Sequence, residues 1–384
     1  MKNTRIEIVK VEDCLEEVLE PFAEMLAQGK TVAFPTETVY GLGANALDEK
    51  AVQSIFEAKG RPSDNPLIVH IAQWKEVLKL AEEITPLAKK LAEAFWPGPL
   101  TLILKKKPVV PESVTAGLDT VALRMPSHQI AHRLIAMAGV PVAAPSANLS
   151  GKPSPTRGSH VIKDLKGRVD GIIDGGMAMV GLESTVVDAT GEYPVILRPG
   201  GITKEQIMEA VKGLAGSFPM DQQPKATKRE EAPRSPGMKY AHYAPNASVV
   251  IVQVTDTPMA ESIRRQAETY RCKGHKVGIL CTEETLKEGW PLLWKEGKVE
   301  ADRITSEGWR IILNGSLQQP STIAERLFDA LRSFDETEVT LILAEAVSEK
   351  SLGQAIMNRL QKASNGEKQL SETREKSDRE RRIE

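Results

Sequence analysis

Two cations flank a glycine at Lys59-Gly60-Arg61-Pro62, and Ser63-Asp64-Asn65-Pro66 follows. Glycine lets the backbone turn and proline fixes the direction of exit, so both positive side chains sit on a stiffened loop. Cations held that way suit an anion, most often a phosphate or a carboxylate. Lys-Gly is also an ordinary helix ending, because glycine takes the left-handed cap and lysine complements the dipole, and the dipeptide alone does not decide between the two. Its surroundings favour a site. Thr36, Glu37 and Thr38, all able to orient a ligand, follow directly on a short apolar strand at residues 31–34, and His70 lies in a second at 67–71.

Other strand ends deliver the same kinds of group: Arg124, Ser146 with Asn148, Ser184, and Arg198 before Pro199-Gly200-Gly201. Ligands of α/β sheets gather where the carboxyl ends of strands open into a crevice. Singly, each has a plainer explanation: Ser146 and Asn148 could form a turn, and Arg198 a surface ion pair. Together they supply several cations, hydroxyls and an amide, with no acidic pair and no cysteine nucleophile. That inventory suits binding a polyanion and stabilising its transition state, and it suits covalent catalysis poorly.

Competing motifs are weak or missing. Gly41-Leu42-Gly43-Ala44-Asn45-Ala46 formally matches G-x-G-x-x-A. Residues 35–40 separate its first glycine from the strand, whereas a dinucleotide fingerprint needs a tight strand–turn–helix. No G-x-x-x-x-G-K-[ST] and no G-x-S-x-G occurs, which excludes an ordinary P-loop and weakens a serine hydrolase. His128 and His132 stand four apart, a spacing zinc could use, but no carboxylate motif joins them and a helix surface explains them better.

The elements that position these groups alternate between strand and helix. Apolar residues repeat at helical spacing from Leu15 to Leu26 behind an Asp13/Glu16 capping box, with a kink or restart expected at Pro21. The strand at 31–34 feeds a loop over 35–43, and Asp48 caps a helix to about residue 58. Helices at 74–82 and 86–95, strands at 100–104 and 121–124, and a helix at 128–138 come next. Strands at 140–144, 171–174, 185–188 and 195–197 follow, then a helix capped by Thr203 and Gln206 to about residue 214. This reads as an α/β domain over residues 1–217. Residues 218–247 hold five scattered prolines among polar residues and read as a linker. Tyr240, His242 and Tyr243 near its end favour docking on a neighbouring domain. Residues 248–363 alternate again as a small doubly wound Rossmann-like unit without a glycine fingerprint, so no dinucleotide is assigned to it. Residues 364–384 form a charged, disordered tail.

Composition narrows the class. With 384 residues the chain has room for two domains, and its net charge of −2 does not announce nucleic-acid binding. Cys14, Cys272 and Cys281 have neither metal-ligand nor disulfide spacing. No apolar run approaches the roughly 18 residues of a membrane span, and residues 1–10 lack a signal peptide's apolar core. A cytoplasmic protein without membrane contact is the expectation.

The motifs P-T-E-T-V-Y-G-L-G, K-G-R-P-x-x-N-P-L, W-P-G-P-L-T, R-M-P, A-P-S-A-N-x-S-G, E-S-T-V-V-D and L-R-P-G, in that order, resemble the YrdC-type threonylcarbamoyl-AMP synthases. The resemblance is dense over residues 15–210. S-P-G-M-K-Y-x-H-Y-A-P and the second unit resemble the family's longer, two-domain branch. It implies a twisted open mixed sheet with a large concave pocket, and condensation of L-threonine, bicarbonate and ATP to threonylcarbamoyl-AMP and pyrophosphate, with Mg²⁺ carried on the ATP phosphates and no tightly bound organic cofactor. A separate transferase complex would then modify adenosine 37 of tRNA, which this chain itself would contact weakly or indirectly. Carried over by motif, Lys59 and Arg61 are the catalytic cations and bind ATP with Ser146 and Asn148. Asn65, Thr120, Ser154 and Arg198 would also contact ATP, and Tyr240 or Tyr243 would close over it. Thr36, Thr38, His70, Arg124, Ser184 and the backbone of Ala144 would hold threonine. A pure RNA-binding module is disfavoured by the charge. A hydrogenase-maturation carbamoyltransferase is disfavoured because three scattered cysteines cannot build its zinc elements.

Overall fold

A computed structural model describes residues 2–10, 15–214, 243–253, 256–294 and 303–364. Asp13, Tyr240, His242, most of the expected linker and the charged tail lie outside the described residues. The chain divides into two units: one takes the described residues up to 214 apart from Gly151–Pro153, and the other takes Gly151–Pro153 with the residues from Tyr243 onward.

The first unit begins with strand β1 (Arg5–Ile8) and helix α1 (Leu15–Ala27). Helix α1 runs through Pro21 without the expected interruption. The carbonyl that Pro21 leaves without its helical partner belongs to Glu17, an exposed residue of the first turn, where solvent access makes the lost bond cheap. On its other face Leu19, Phe22, Ala23 and Leu26 are buried. Strands β2 (Val32–Phe34) and β3 (Gly41–Asn45) form an antiparallel pair with Phe34 opposite Gly41. Gly41 and Gly43 are therefore strand residues, and the formal G-x-G-x-x-A match has no turn-and-helix geometry. Gly43 is required by packing: a Cβ there would stand 2.6 Å from the Phe34 ring and 2.7 Å from Val142.

Helix α2 (Glu49–Lys59), strand β4 (Ile68–His70), helices α3 (Trp74–Leu80) and α4 (Pro86–Phe95), strand β5 (Leu100–Lys105) and the short helix α5 (Glu112–Thr115) follow. Then come β6 (Thr120–Arg124), α6 (Gln129–Ala138), β7 (Val142–Ala143), α7 (Gly158–Leu165), β8 (Gly171–Asp174), β9 (Thr185–Asp188), β10 (Val195–Arg198) and α8 (Lys204–Ala210). The ten strands form one mixed sheet in the order β1-β8-β2-β3-β7-β4-β6-β5-β9-β10. Helices α1 and α6 share one core cluster around Phe22, Phe34, Leu134 and Ile173, and α2 to α4 cover another around Tyr40, Ile55, Leu91 and Leu123.

The second unit comprises β11 (Ser248–Val252), α9 (Met259–Cys272), β12 (Val277–Cys281), α10 (Glu283–Gly289), β13 (Arg303–Ile304), β14 (Arg310–Leu313), α11 (Pro320–Phe334), β15 (Leu341–Glu345) and α12 (Leu352–Ser364). Its sheet order is β11-β15-β12-β14-β13, parallel except for the edge strand β13. A cavity of about 660 Å³ opens beyond the carboxyl ends of these strands, where parallel sheets offer crevices. Its buried carboxyl, Glu345, already accepts from the Thr282 amide at 2.7 Å and from the hydroxyls of Thr282 and Thr285. No described helix is long and apolar enough to cross a membrane.

Candidate functional site

Helix α2 aims Lys59. Asp48 caps its start by accepting from the Lys50 and Ala51 amides, and Gly60 closes it in the left-handed conformation at φ 60° and ψ 39°. Lys-Gly is thus a capped helix ending, and that ending delivers a cation that is only 3 % exposed. The Lys59 Nζ donates to the carbonyl oxygens of Ser146 and Asn148, the latter at 2.5 Å, and lies 3.4 Å from Asn148 Oδ1. Ser146 Oγ donates to that same Oδ1 at 2.5 Å. Lys59, Ser146 and Asn148, 87 to 89 residues apart in sequence, form one cluster.

Arg61 folds back over its own loop, with Nη2 3.3 Å from the Asn65 carbonyl and 3.4 Å from that of Pro66. Asn65 is fully buried, and neither atom of its side-chain amide finds a hydrogen-bond partner among the described residues. Such an amide costs stability until something bonds it, which is what a ligand-binding amide requires. Ile68 pairs with Ala122 on the parallel strand β6, and that register extended by two residues sets Thr120 beside Pro66. One end of the β4–β6 pair thus carries Arg61, Asn65 and Thr120.

The other end carries His70 opposite Arg124 in the same register. Burial and the Arg124 cation hold the His70 imidazole down to about pKa 3, so it is neutral at physiological pH. Its Nδ1 lies 3.2 Å from the Ile68 carbonyl. Arg124 pairs with Glu37 at 2.7 Å, both side chains being almost fully buried. Thr36 and Thr38 bracket Glu37 with their hydroxyls 2.8 Å apart, and Thr36 donates to the Val39 carbonyl at 2.6 Å. Ala144 spends its amide on the Ile68 carbonyl at 2.9 Å, which leaves its own carbonyl for a ligand.

Ser184 and Arg198 meet directly: Nε and Nη2 of Arg198 donate to the Ser184 carbonyl at 3.1 and 3.0 Å, and Nη2 lies 3.1 Å from Ser184 Oγ. Gly200 permits this approach, since a Cβ there would fall 2.3 Å from the Glu183 carbonyl. Two further buried groups that the sequence motifs did not single out support this corner. Thr101 bonds the Ser184 hydroxyl at 2.7 Å, and Glu183 accepts from Ser154 at 2.5 Å. Their signal was the strand L-T-L-I-L and the glutamate that opens E-S-T-V-V-D. Within the second unit, the Tyr243 ring packs 5.0 Å from Phe328 with the Arg359 guanidinium over it. Its partner in that expectation, Tyr240, lies outside the described residues.

Buried cations, hydroxyls and amides along one strand pair of a mixed sheet, joined in sequence to a parallel-sheet unit, define an α/β enzyme that handles anions. Residues 24–200 match the family model Sua5_yciO_yrdC, described as "Telomere recombination", and residues 202–365 match "Threonylcarbamoyl-AMP synthase, C-terminal domain". The chain is 48% identical to the threonylcarbamoyl-AMP synthase of Pyrococcus abyssi, over 93% of this chain and 97% of that one. It is 50% identical to the Bacillus subtilis threonylcarbamoyl-AMP synthase, over 90% and 92%. The crystal structure of P. abyssi Sua5 complexed with L-threonine matches with a TM-score of 0.81 and 46% identity, covering 94% of this chain and 98% of that one. The chain belongs to the threonylcarbamoyl-AMP synthase family.

Proposed function

We infer that this chain condenses L-threonine, bicarbonate and ATP to threonylcarbamoyl-AMP and pyrophosphate. The observation that supports this reading best is the β4–β6 pair. It offers Arg61, Asn65 and Thr120 at one end and His70 and Arg124 at the other, about four residues or roughly 13 Å apart at strand rise. That span accommodates two substrates whose reacting ends meet between them.

Threonine's amine and bicarbonate form a carbamate, whose carboxylate attacks the α-phosphate in line as pyrophosphate leaves. The obstacle is bringing two anions together. Lys59, Arg61 and Arg198 lower that repulsion, with Ser146, Asn148, Asn65, Thr120 and Ser154 orienting the nucleotide. Arg124 takes the amino-acid carboxylate, a pairing guanidinium makes bidentately. Thr36, Thr38, Ser184, the Ala144 carbonyl and neutral His70 hold the rest of threonine without adding charge. Among the described residues no group of three acidic, His or Cys side chains could bind a metal, and the acids of the site, Glu37 and Glu183, face Arg124 and Ser154. We therefore assign Mg²⁺ to the phosphates, with MgATP as the substrate. The family resemblance gives residues 218–247 the role of a lid that closes over the nucleotide through Tyr240 or Tyr243, because a carbamate is labile and must be kept from water. The adenylate passes, in the cytoplasm, to a separate transferase complex that modifies adenosine 37 of tRNA.

The test is incubation of the protein with ATP, Mg²⁺, bicarbonate and labelled threonine. Pyrophosphate release that requires threonine, with label in an adenylate, is the expected outcome. Pyrophosphate released equally without threonine overturns the reading.

A further inference from the structure

Glu37 is the charged group of the site to which the reaction above gives no task. Its side chain is 2% exposed, and its Oε1 lies 2.7 Å from Arg124 Nη2. Arg124 and the backbone amides of Glu37 and Ser127 act on this carboxylate, yet no contact to either oxygen among the described residues meets full hydrogen-bond geometry. The Thr36–Thr38 hydroxyl contact and the Thr36 bond to the Val39 carbonyl fix the turn that carries it.

Its charge state follows from its neighbours. Burial pushes the carboxyl's pKa up, but Arg124 and the backbone amides of Glu37 and Ser127 outweigh this and hold it below the usual range. Glu37 is therefore an anion. The other titratable groups facing it are His70 and His128, which burial biases towards the neutral form. The formal charge of this buried group is then one plus and one minus.

A ligand must leave that balance intact. A simple carboxylate landing on Arg124 would place two anions on one guanidinium in a dry site, at a high cost in desolvation. A zwitterion avoids this, because its carboxylate meets Arg124 while its ammonium offers three N–H donors to the carboxylate of Glu37, whose two oxygens can accept more bonds than the residues around it supply. We propose that Glu37 is the ammonium-recognition residue of the amino-acid site, so that Glu37 and Arg124 together select a free α-amino acid and reject the corresponding hydroxy acid. This rests on the synthase reading and adds to it a specificity-determining residue.

Calorimetric titration of the full chain without ATP tests it, using L-threonine and 2,3-dihydroxybutyrate, in which a hydroxyl replaces the amine. The wild type should bind threonine at least about tenfold more tightly, as a charge-assisted hydrogen bond provides. In Glu37→Gln that preference should collapse, with threonine weakened about tenfold and the hydroxy acid changed by less than about twofold. Glu37→Asp, which keeps the charge, should recover part of it. Equal weakening of both ligands would reveal a purely structural role through Arg124 and overturn the proposal. So would a wild type that does not distinguish the two ligands, a result that needs no variant to fold. Failure of the wild type to bind threonine at all would remove the synthase reading itself, and the proposal with it.

Discussion

Lys59 makes its bonds to two main-chain carbonyls, and the proposed reaction assigns the same ammonium to the phosphates. Lys59→Ala and Arg61→Ala should each lower adenylate formation by at least about a hundredfold, the scale of losing one preorganised electrostatic contact. Circular dichroism should stay that of the wild type, since Lys59 is the last residue of α2, Arg61 lies in the loop after it, and neither belongs to the core clusters. Near-normal pyrophosphate release in either variant would refute the assignment. His70 makes a separate prediction. In the unfolded chain its imidazole binds a proton near pH 6.5, whereas in the folded chain it does so only near 3, so between those values the unfolded state holds more protons. Stability should therefore fall as pH drops below about 6.5, by at most about 1.4 kcal/mol per pH unit from this group. Urea midpoints from pH 7 to pH 5 should show a shallower decline in His70→Asn than in the wild type. These residues could be singled out in the sequence because their side chains are chemically specific and stand beside a helix end or a strand end. Glu183 and Thr101 were not, because a buried carboxylate or hydroxyl that supports another side chain looks like any other until the chain is folded.

The elements were legible where one signal was strong. Asp48 and Gly60 punctuate α2 as their types require, and the continuous apolar runs at β4, β5, β8 and β9 were recognised as strands. Strand β3 was read as a loop because Gly-Leu-Gly-Ala-Asn has no β propensity, and its conformation comes from pairing with β2 and packing against Phe34. Helix α7 passed unnoticed because it begins at Gly158 and Arg157 gives it no side-chain cap. Strand β1, four residues with both ends exposed, is specified only by its partner β8. Pro21 misled in the opposite sense: its missing bond falls in the first, solvent-facing turn. Gly43→Ala tests the account of β3. The added methyl must displace Phe34 or Val142, and overpacking of this kind costs about 1–3 kcal/mol. Thermal unfolding should report it as a lowered midpoint, whereas an unchanged midpoint would mean that the β2–β3 pair tolerates a side chain there.

At the scale of the whole chain, each unit buries a core of its own, and Trp290 and Trp309 are enclosed in that of the second unit. A fragment of residues 243–364 should fold alone, with blue-shifted tryptophan emission lost in a single cooperative urea transition. A fragment emitting like a solvated indole would show that this unit needs the rest of the chain. The alternation of strand and helix announced both units in the sequence, while the order of ten strands in the first sheet depends on long-range pairing that no local pattern encodes. The clasp of Lys59 on Ser146 and Asn148 bears on turnover. If Lys59 serves the nucleotide as proposed, an arriving triphosphate would have to draw the ammonium away from two oxygens that it already bonds, so a small free anion would gain little by entering. On the proposed reaction the clasp would close again as pyrophosphate departs, so that the by-product would compete with groups already in place and leave readily.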